Sequence, residues 1–443
     1  MVPKTERDVL KAIVHAAHHL KGETTDFDPL LKMIGNSRLV LLGEATHGTH
    51  EFYRIRAQIT KRLIEEEGFN AVAVEADWPD AYRISEYVRF ESGDQEAIDA
   101  LAGFQRFPAW MWRNADVLDF VGWLRNYNEH RHSKRVGFYG LDLYSLHASI
   151  QAVLDFLDKV DPEAAGRARY RYSCFENFGE DTQAYGYAAS FGLSKSCENE
   201  VISQWIEMRR RAADLAGRDG RVARNAFFFA EQNARLVKNA EEYYRAMFHE
   251  RVPSWNLRDS HMAETLEALM HHLGPKARIV VWAHNSHLGD ARATEMAQRG
   301  ELNLGQLIRE KYGEKATLVG FSTYTGTVTA ASGWDGPAER KHVRPALPGS
   351  YEALFHETEV PNFLLPLRGK EKVASLLREP RLERAIGVIY LPRSERVSHY
   401  FHAQLPEQFD VVLHFDETRA VEPLERTAAW EAGEVPETYP SML

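Results

Sequence analysis

Short apolar runs rich in β-branched residues alternate with longer stretches of helical periodicity along most of this chain. That alternation narrows the fold more than any other feature. The clearest strand candidates span residues 39–43, 70–75, 136–141, 277–283 and 317–322, with further ones at 362–366, 387–391 and 410–415. These runs are nearly continuous in apolar character, as expected of strands covered by helices on both faces. Helical patterns fill the gaps at 51–67, 79–90, 115–129 and 145–159. The expectation is an α/β fold with a mostly parallel sheet flanked by helices.

The alternation is interrupted once. Between the third and fourth strands lie about 135 residues, too many for one crossover. The later part, 196–272, is rich in Ala, Arg, Glu and Leu and reads as two or three long helices, whereas 170–192 is aromatic, punctuated by glycine, and reads as irregular. The insertion is expected to form a helical lid or subdomain over the active-site cleft. The chain then divides into a first part of the α/β core (1–160), the insertion (161–275), a second part of the core (276–426) and a surface tail (427–443). After Thr323, the segment GTVTAASGWDGPAERKHVRPALPGS reads as a loop bordering the site.

Composition sets outer bounds. With 443 residues, 44% hydrophobic and 27% charged, the chain can bury a core without disulfides or metals. A formal net charge of −10 argues against a nucleic-acid or anionic-membrane partner, because nothing offsets phosphate repulsion. The two cysteines, Cys174 and Cys197, cannot make a C-x-x-C site, and one possible bridge is no disulfide framework, so a reducing compartment is expected. The N-terminal segment MVPKTERDVLKAIVHAAHHL reads as an amphipathic helix without the apolar run of a signal peptide. No segment approaches the run of about 18 apolar residues that a membrane span needs. A cytoplasmic location follows as the expectation.

The chemistry gathers at strand ends. The first strand closes on LLGEATHGTHEF, which puts Glu44, His47 and His50 in the following loop and helix start. The second ends at Glu75, with Asp77 and Trp78 just beyond; the third runs into Asp142; the fourth ends VVWAHNSHLGD, with His284 and His287. Open parallel sheets bind ligands just outside their carboxyl strand ends. One charged strand end is commonplace, but four with two histidine pairs are hard to attribute to packing. Bland roles compete for some residues: Glu44 and Asp142 as helix caps, His50 as a solvated first-turn residue, and Trp110, Trp112 and Trp123 as core. His399 and His402 have no strand-end context and read as structural.

Several classes are excluded by inspection. There is no G-x-S-x-G elbow for a serine nucleophile, and His50-Glu51 does not complete H-E-x-x-H because position 54 is Arg. Neither a Walker A sequence nor G-x-G-x-x-G is present. The residues leave open acid/base chemistry by His and Glu, metal binding by His47, His284, His287, Glu44 and Glu75 with an open water position, and non-catalytic binding of a small molecule in the same cleft.

The runs GEATHGTHEF, VAVEAD and VWAHNSHLG, with the pieces FPAWMWRN, FYGLDLYS and SWNLRDSHMAETL, resemble the signature segments of the erythromycin esterase family. The resemblance extends from about Leu39 to the C-terminal strands. It implies hydrolysis of a small-molecule ester or macrolactone, with no cofactor, no metal and no covalent intermediate. Carried over to this sequence, it makes His47 the general base and Glu44 its partner, and matches Arg56 to an arginine that positions or polarises the reacting groups. Glu75, His284 and His287 match the other polar residues of the cleft. Asp77, Trp78, Trp110, Trp112 and Asp142 are the candidate substrate contacts.

Overall fold

The computed structural model describes residues 6–131, 135–215, 220–249 and 251–433. Eleven strands follow in chain order: β1 (His18–His19), β2 (Leu39–Leu42), β3 (Ala71–Asp77), β4 (Gly137–Asp142), β5 (Ile279–Trp282), β6 (Ala316–Ala330), β7 (Glu339–Val343), β8 (Asn362–Pro366), β9 (Arg381–Arg384), β10 (Tyr400–Ala403) and β11 (Val411–Thr418). Nine form one sheet in the order β1-β8-β11-β6-β2-β5-β3-β4, with β7 paired to β6. The run from β11 to β4 is parallel throughout. β8 is antiparallel to β11, as β1 is to β8 and β7 to β6. The fold is α/β with a mostly parallel sheet, as the alternation of strand and helix patterns predicts.

The continuous apolar runs are explained by the pleat, which turns successive side chains to opposite faces. Leu39, Leu41, Ala71, Ala73, Ile279 and Val281 enter one core; Val40, Leu42, Val72, Val74, Val280 and Trp282 enter the other. Each fully buried aliphatic contributes about 1.5–3 kcal/mol. On the second face the helix His50–Glu65 buries Phe52, Ile55, Ile59 and Leu63, spaced three and four apart. The helix Ala115–Asn128 packs beside it and starts where the Asn114 side chain accepts from Val117 N. The first face is covered by Leu146–Val160 and by the long helices of the insertion.

The structure corrects four local readings. Residues 170–192 are mostly helical, in Pro162–Tyr172, Ser173–Phe178 and Thr182–Ser190. Gly186 allows close packing instead of breaking the chain, since a Cβ there would lie 2.2 Å from Tyr244 O. The stretch after Thr323 continues β6 to Ala330 and turns back as β7. Residues 387–391 make no strand, because Ile386 and Tyr390 are taken into a third small core with Val328, Ala330 and Val343; the pairing nearby is β9 with β10. Cys174 and Cys197 are disulfide-bonded across 5.9 Å of Cα separation, which runs against a reducing environment. Met1–Thr5 of the expected N-terminal helix and residues 434–443 of the expected tail lie outside the described residues; the rest of that helix is Glu6–Ala16. Trp430, in the tail's first part, is buried with Nε1 donating to Thr329 Oγ1. Among the described residues no helix is long and apolar enough to cross a membrane.

The insertion's helices Glu198–Leu215, Gly220–Ala246 and Arg251–Leu273 pack as a layer. On the last of them His261 is 2% exposed and its Nδ1 accepts from Asn239 Nδ2 at 2.9 Å. Burial first, and then the Arg235 charge, lowers its pKa to about 3 from the ordinary 6.5. Between those values the unfolded chain binds more protons than the folded one. His261 therefore contributes stability that is complete above pH 6.5 and is lost as pH falls towards 3. Urea denaturation should show the wild-type protein losing stability faster than His261→Gln through this window, by about 1.4 kcal/mol per pH unit. Parallel pH profiles of the two proteins would contradict this.

Candidate active site

The carboxyl ends of β2, β3, β4 and β5 open onto one cavity of about 430 Å³, lined among others by His47, Glu75, Asp77, Trp112, Asp142, Arg258, His284 and His287. β5 lies between β2 and β3 in the sheet, so the loops after these strands meet although they are far apart in sequence. Gly43, just after β2, makes this approach possible: a Cβ there would fall 2.1 Å from Asn285 Oδ1. In return Asn285 N donates to Glu44 O at 2.8 Å, tying the β2 loop to the segment that carries both histidines.

Glu44 is 1% exposed and orients its neighbour. Its Oε1 lies 2.8 Å from His47 Nδ1, and its Oε2 lies 2.6 Å from Arg56 Nη2. The Arg56 approach is too oblique for an aligned hydrogen bond, so this contact is an ion pair. A carboxylate at Nδ1 requires a proton there, which leaves Nε2 of the neutral ring as the free base. His47 Nε2 lies 4.0 Å from Glu75 Oε1 and the ring lies 4.8 Å from that of His284. Arg56 itself is fully buried against Tyr53 and Trp282. It reaches Glu44 from behind and does not line the cavity.

Glu75 is the electrostatic centre. Its Oε1 accepts from Arg258 Nη2 at 2.7 Å and lies 3.4 Å from His287 Nε2; its Oε2 accepts from His284 N at 2.8 Å. Burial disfavours its charge, but His287, His47 and Arg258 together hold the carboxyl far below the usual range. Arg258 also donates to both oxygens of Asp142, at 3.0 and 2.6 Å. Burial opposes ionisation of Asp142 too, and Arg258 outweighs it. Asp77 accepts from Arg106 and from Tyr144 N, yet burial keeps its carboxyl above the ordinary value.

The two later histidines are held in different states. Burial, and then the His47 charge, pushes His284 down to about 3, so it is neutral. Its Nδ1 accepts from Ser286 N at 3.2 Å, which assigns the ring proton to Nε2. That Nε2 is buried without an aligned hydrogen bond, although the Ala45 carbonyl lies near it. Burial also works against a charged His287, but Asp259, 2.9 Å from its Nδ1, and Glu75 raise its pKa. Trp255 stacks on the His287 ring at 4.6 Å.

A family model for erythromycin esterase matches residues 64–418. The chain belongs to the erythromycin esterase family. The matched span begins after Glu44 and His47 and includes the strand ends that carry Glu75, Asp142 and His284. Curated relatives of this family member include a putative hydrolase of Bacillus subtilis strain 168, 23% identical over 87% of this chain and 84% of its own length. Another is the erythromycin esterase type II of Escherichia coli, 23% identical over 72% of this chain and 77% of its own. Among solved structures, a Bacillus cereus protein superposes with a TM-score of 0.81 at 21% identity, covering 96% of this chain and 100% of that one. A mutant of the erythromycin esterase EreC in its open conformation gives 0.66 at 19% identity, covering 91% and 96%. These last two similarities speak to the fold.

Within this erythromycin esterase family member, the structure separates the candidate residues by position. Glu75, Asp77, Asp142, His47, His284, His287 and Trp112 line the cavity; Glu44 and Arg56 stand behind His47. Trp78 does not reach the cavity. Its indole is 1% exposed and packs with Tyr82, Tyr139, Phe228 and Phe229. Trp110 is likewise in the core beside the site, whereas Trp112 donates Nε1 to Glu75 O at 3.2 Å. His50 pairs with Asp116, away from the cavity. His399 lines the cavity despite its lack of strand-end context, and His402 pairs with Glu295 at the surface.

Sequence reasoning missed Arg258 and Asp259, which lie mid-helix in Arg251–Leu273, and Arg106 in the loop opposite. Among the described residues of the insertion, this last helix lines the cavity through Arg251, Trp255 and Arg258; further walls come from the segment from Phe104 to Trp112 and from residues between Ala385 and Phe401. A resident metal does not fit the donor set. Among the described residues no group of three or more His, Cys, Asp or Glu side chains is arranged to hold one. The physical reason is that Glu75 and Asp142 already close on Arg258, and Glu44 on Arg56.

Proposed function

We propose that this chain hydrolyses a carboxylic ester or lactone by attack of a water that His47 deprotonates. The observation that carries the reading is the polarity of His47: Nδ1 fixed by Glu44, and Nε2 directed to the cavity floor opposite Glu75. Two acceptors 4.0 Å apart can each take one hydrogen of a single water. Proton transfer to His47 Nε2 then generates the nucleophile, and Glu44 stabilises the imidazolium that forms. The tetrahedral oxyanion is met by the positive potential of the Arg258 guanidinium, which lines the same cavity. The imidazolium of His47 returns its proton to the leaving alkoxide, which balances the reaction without an acyl-enzyme.

Family membership makes macrolactones the first substrates to try, alongside simpler esters. The cavity pairs charged groups on its floor with aromatic walls from Phe107, Trp112, Tyr144, Trp255 and Trp334, which suits an amphipathic molecule. The test is mass spectrometry of a macrolide and ester panel after incubation, with the addition of one water as the expected product. A blank across the panel, from folded protein, would overturn the reading. The same scheme expects activity to survive exhaustive chelation followed by dialysis. A loss that added Zn²⁺ restores would transfer the mechanism to a metal.

A further inference from the structure

The mouth of the active-site cavity carries apolar side chains that take no part in the proposed chemistry. Trp334, in the turn between β6 and β7, is 53% exposed, and Val397, on the helix Glu395–Ser398, is 88% exposed. Both line the cavity, so both stand where it opens to solvent. The half-buried Phe107 lines it as well and meets Trp334 edge-on, with ring centroids 5.1 Å apart. Val388 and Phe401 extend the same lining. Single apolar side chains at a surface are ordinary, but several bordering one concave site mark a binding surface.

Each of these residues belongs to a segment fixed to the scaffold. The turn that carries Trp334 is tied to the chain before Val397: Ala331 N donates to Val388 O at 2.9 Å, Tyr390 N to Ala331 O at 3.1 Å, and Lys341 Nζ to Tyr390 O at 3.1 Å. The helix of Val397 starts at Glu395, which accepts from Tyr390 OH at 3.0 Å and pairs with the fully buried Arg384 at 3.2 Å. Phe107 O accepts from Arg106 Nη1 at 3.1 Å, and the same guanidinium donates to Asp77. Apolar groups held in water on ordered backbone are preorganised. A ligand that covers them gains burial with little further ordering of the protein.

The floor has the opposite character, with His47 and Glu75 polar and nearly buried. A cavity of about 430 Å³ matches a drug-sized ligand. An ester group placed at the floor therefore touches the rim only through a long substituent. We propose that Phe107, Trp334 and Val397 form a specificity rim that selects esters carrying an extended apolar group, aliphatic or alicyclic, over short-chain esters. The inference rests on the ester reading for its chemistry and adds the class of substrate.

The test uses the full-length protein with p-nitrophenyl acetate, hexanoate and octanoate. Wild-type kcat/KM is expected to rise along the series, by up to about fourfold for each methylene the rim covers. Trp334→Ala and Val397→Ser are each expected to flatten that slope, chiefly through KM, so that the octanoate loses several-fold more than the acetate. Circular dichroism controls for folding, and the highly exposed Val397 supplies a variant if the Trp334 turn does not tolerate change. Calorimetric titration with the matching p-nitroanilides, amides in place of esters, reads recognition without ester turnover. If no ester is hydrolysed, yet anilide affinity rises with chain length and loses that rise in the variants, the ester reading fails and the rim stands. If esters are hydrolysed with kcat/KM independent of chain length, or folded variants keep the wild-type slope, the rim is overturned and the ester reading is kept. Anilide affinity that ignores chain length overturns the rim whatever the esters do.

Discussion

His47→Asn is expected to lower ester hydrolysis by about 10³-fold, within the 10²–10⁴ range typical of a positioned general base, while the protein stays folded. The expectation rests on the single free lone pair at the cavity floor. Nδ1 is occupied by Glu44, so no second atom of this ring can take the proton from water. Asparagine retains a polar side chain in a nearly buried position and cannot act as a base near neutral pH. The loss should appear in kcat with little change in KM, because the ring's contribution arises in the transition state. Circular dichroism of the variant provides the folding control. A folded His47→Asn enzyme with wild-type kcat would falsify the assignment. Glu44→Gln would be a poorer test, since it also strips Arg56, fully buried, of its counter-charge.

The second large effect concerns Arg258. Replacement by alanine leaves Asp142 and Glu75 buried without their shared cation, and breaking such a pair typically costs about 3–5 kcal/mol. Glu75 keeps the His284 N–H and its two imidazole neighbours, whereas Asp142 keeps only the Leu143 N–H. Asp142 therefore bears most of the loss. Chemical denaturation should show Arg258→Ala markedly destabilised, with Asp142→Asn in the same background recovering part of the difference. Arg258→Lys restores a charge without the fork that holds both Asp142 oxygens. It is expected to recover stability more fully than turnover. Equal stability of Arg258→Ala and wild type would remove Arg258 from its central place.

The difference between these two residues shows what was legible in the sequence. His47, Glu75, Asp142 and His284 each follow an apolar run, so the strand gives away their position and the parallel topology gives away their meeting. Arg258 and Asp259 follow no strand. They lie in a helix of mixed charge, where an arginine and an aspartate look like an ordinary solvated pair, and only the docking of that helix on β4 turns them inward. The tryptophans make the same point. Trp78, Trp110 and Trp112 are equivalent as sequence, and tertiary packing alone decides that Trp112 faces the cavity. The helical state of residues 182–190 was hidden because a glycine that permits close packing reads the same as one that ends a helix.

The sheet order also dictates how the molecule can be assembled. The central strand β2 has partners only in β5 and β6, with Leu39 opposite Ile279 and Ala316. As the chain leaves the ribosome, this wholly apolar strand is made early, and both its edges stay open until most of the polypeptide exists. Such long-range pairing slows folding and exposes an unpaired edge to other chains. Truncation before β5 would leave Glu44 and His47 in a loop after a strand with neither of its partners. Newly made molecules of this protein therefore carry an unpaired strand edge through much of their synthesis.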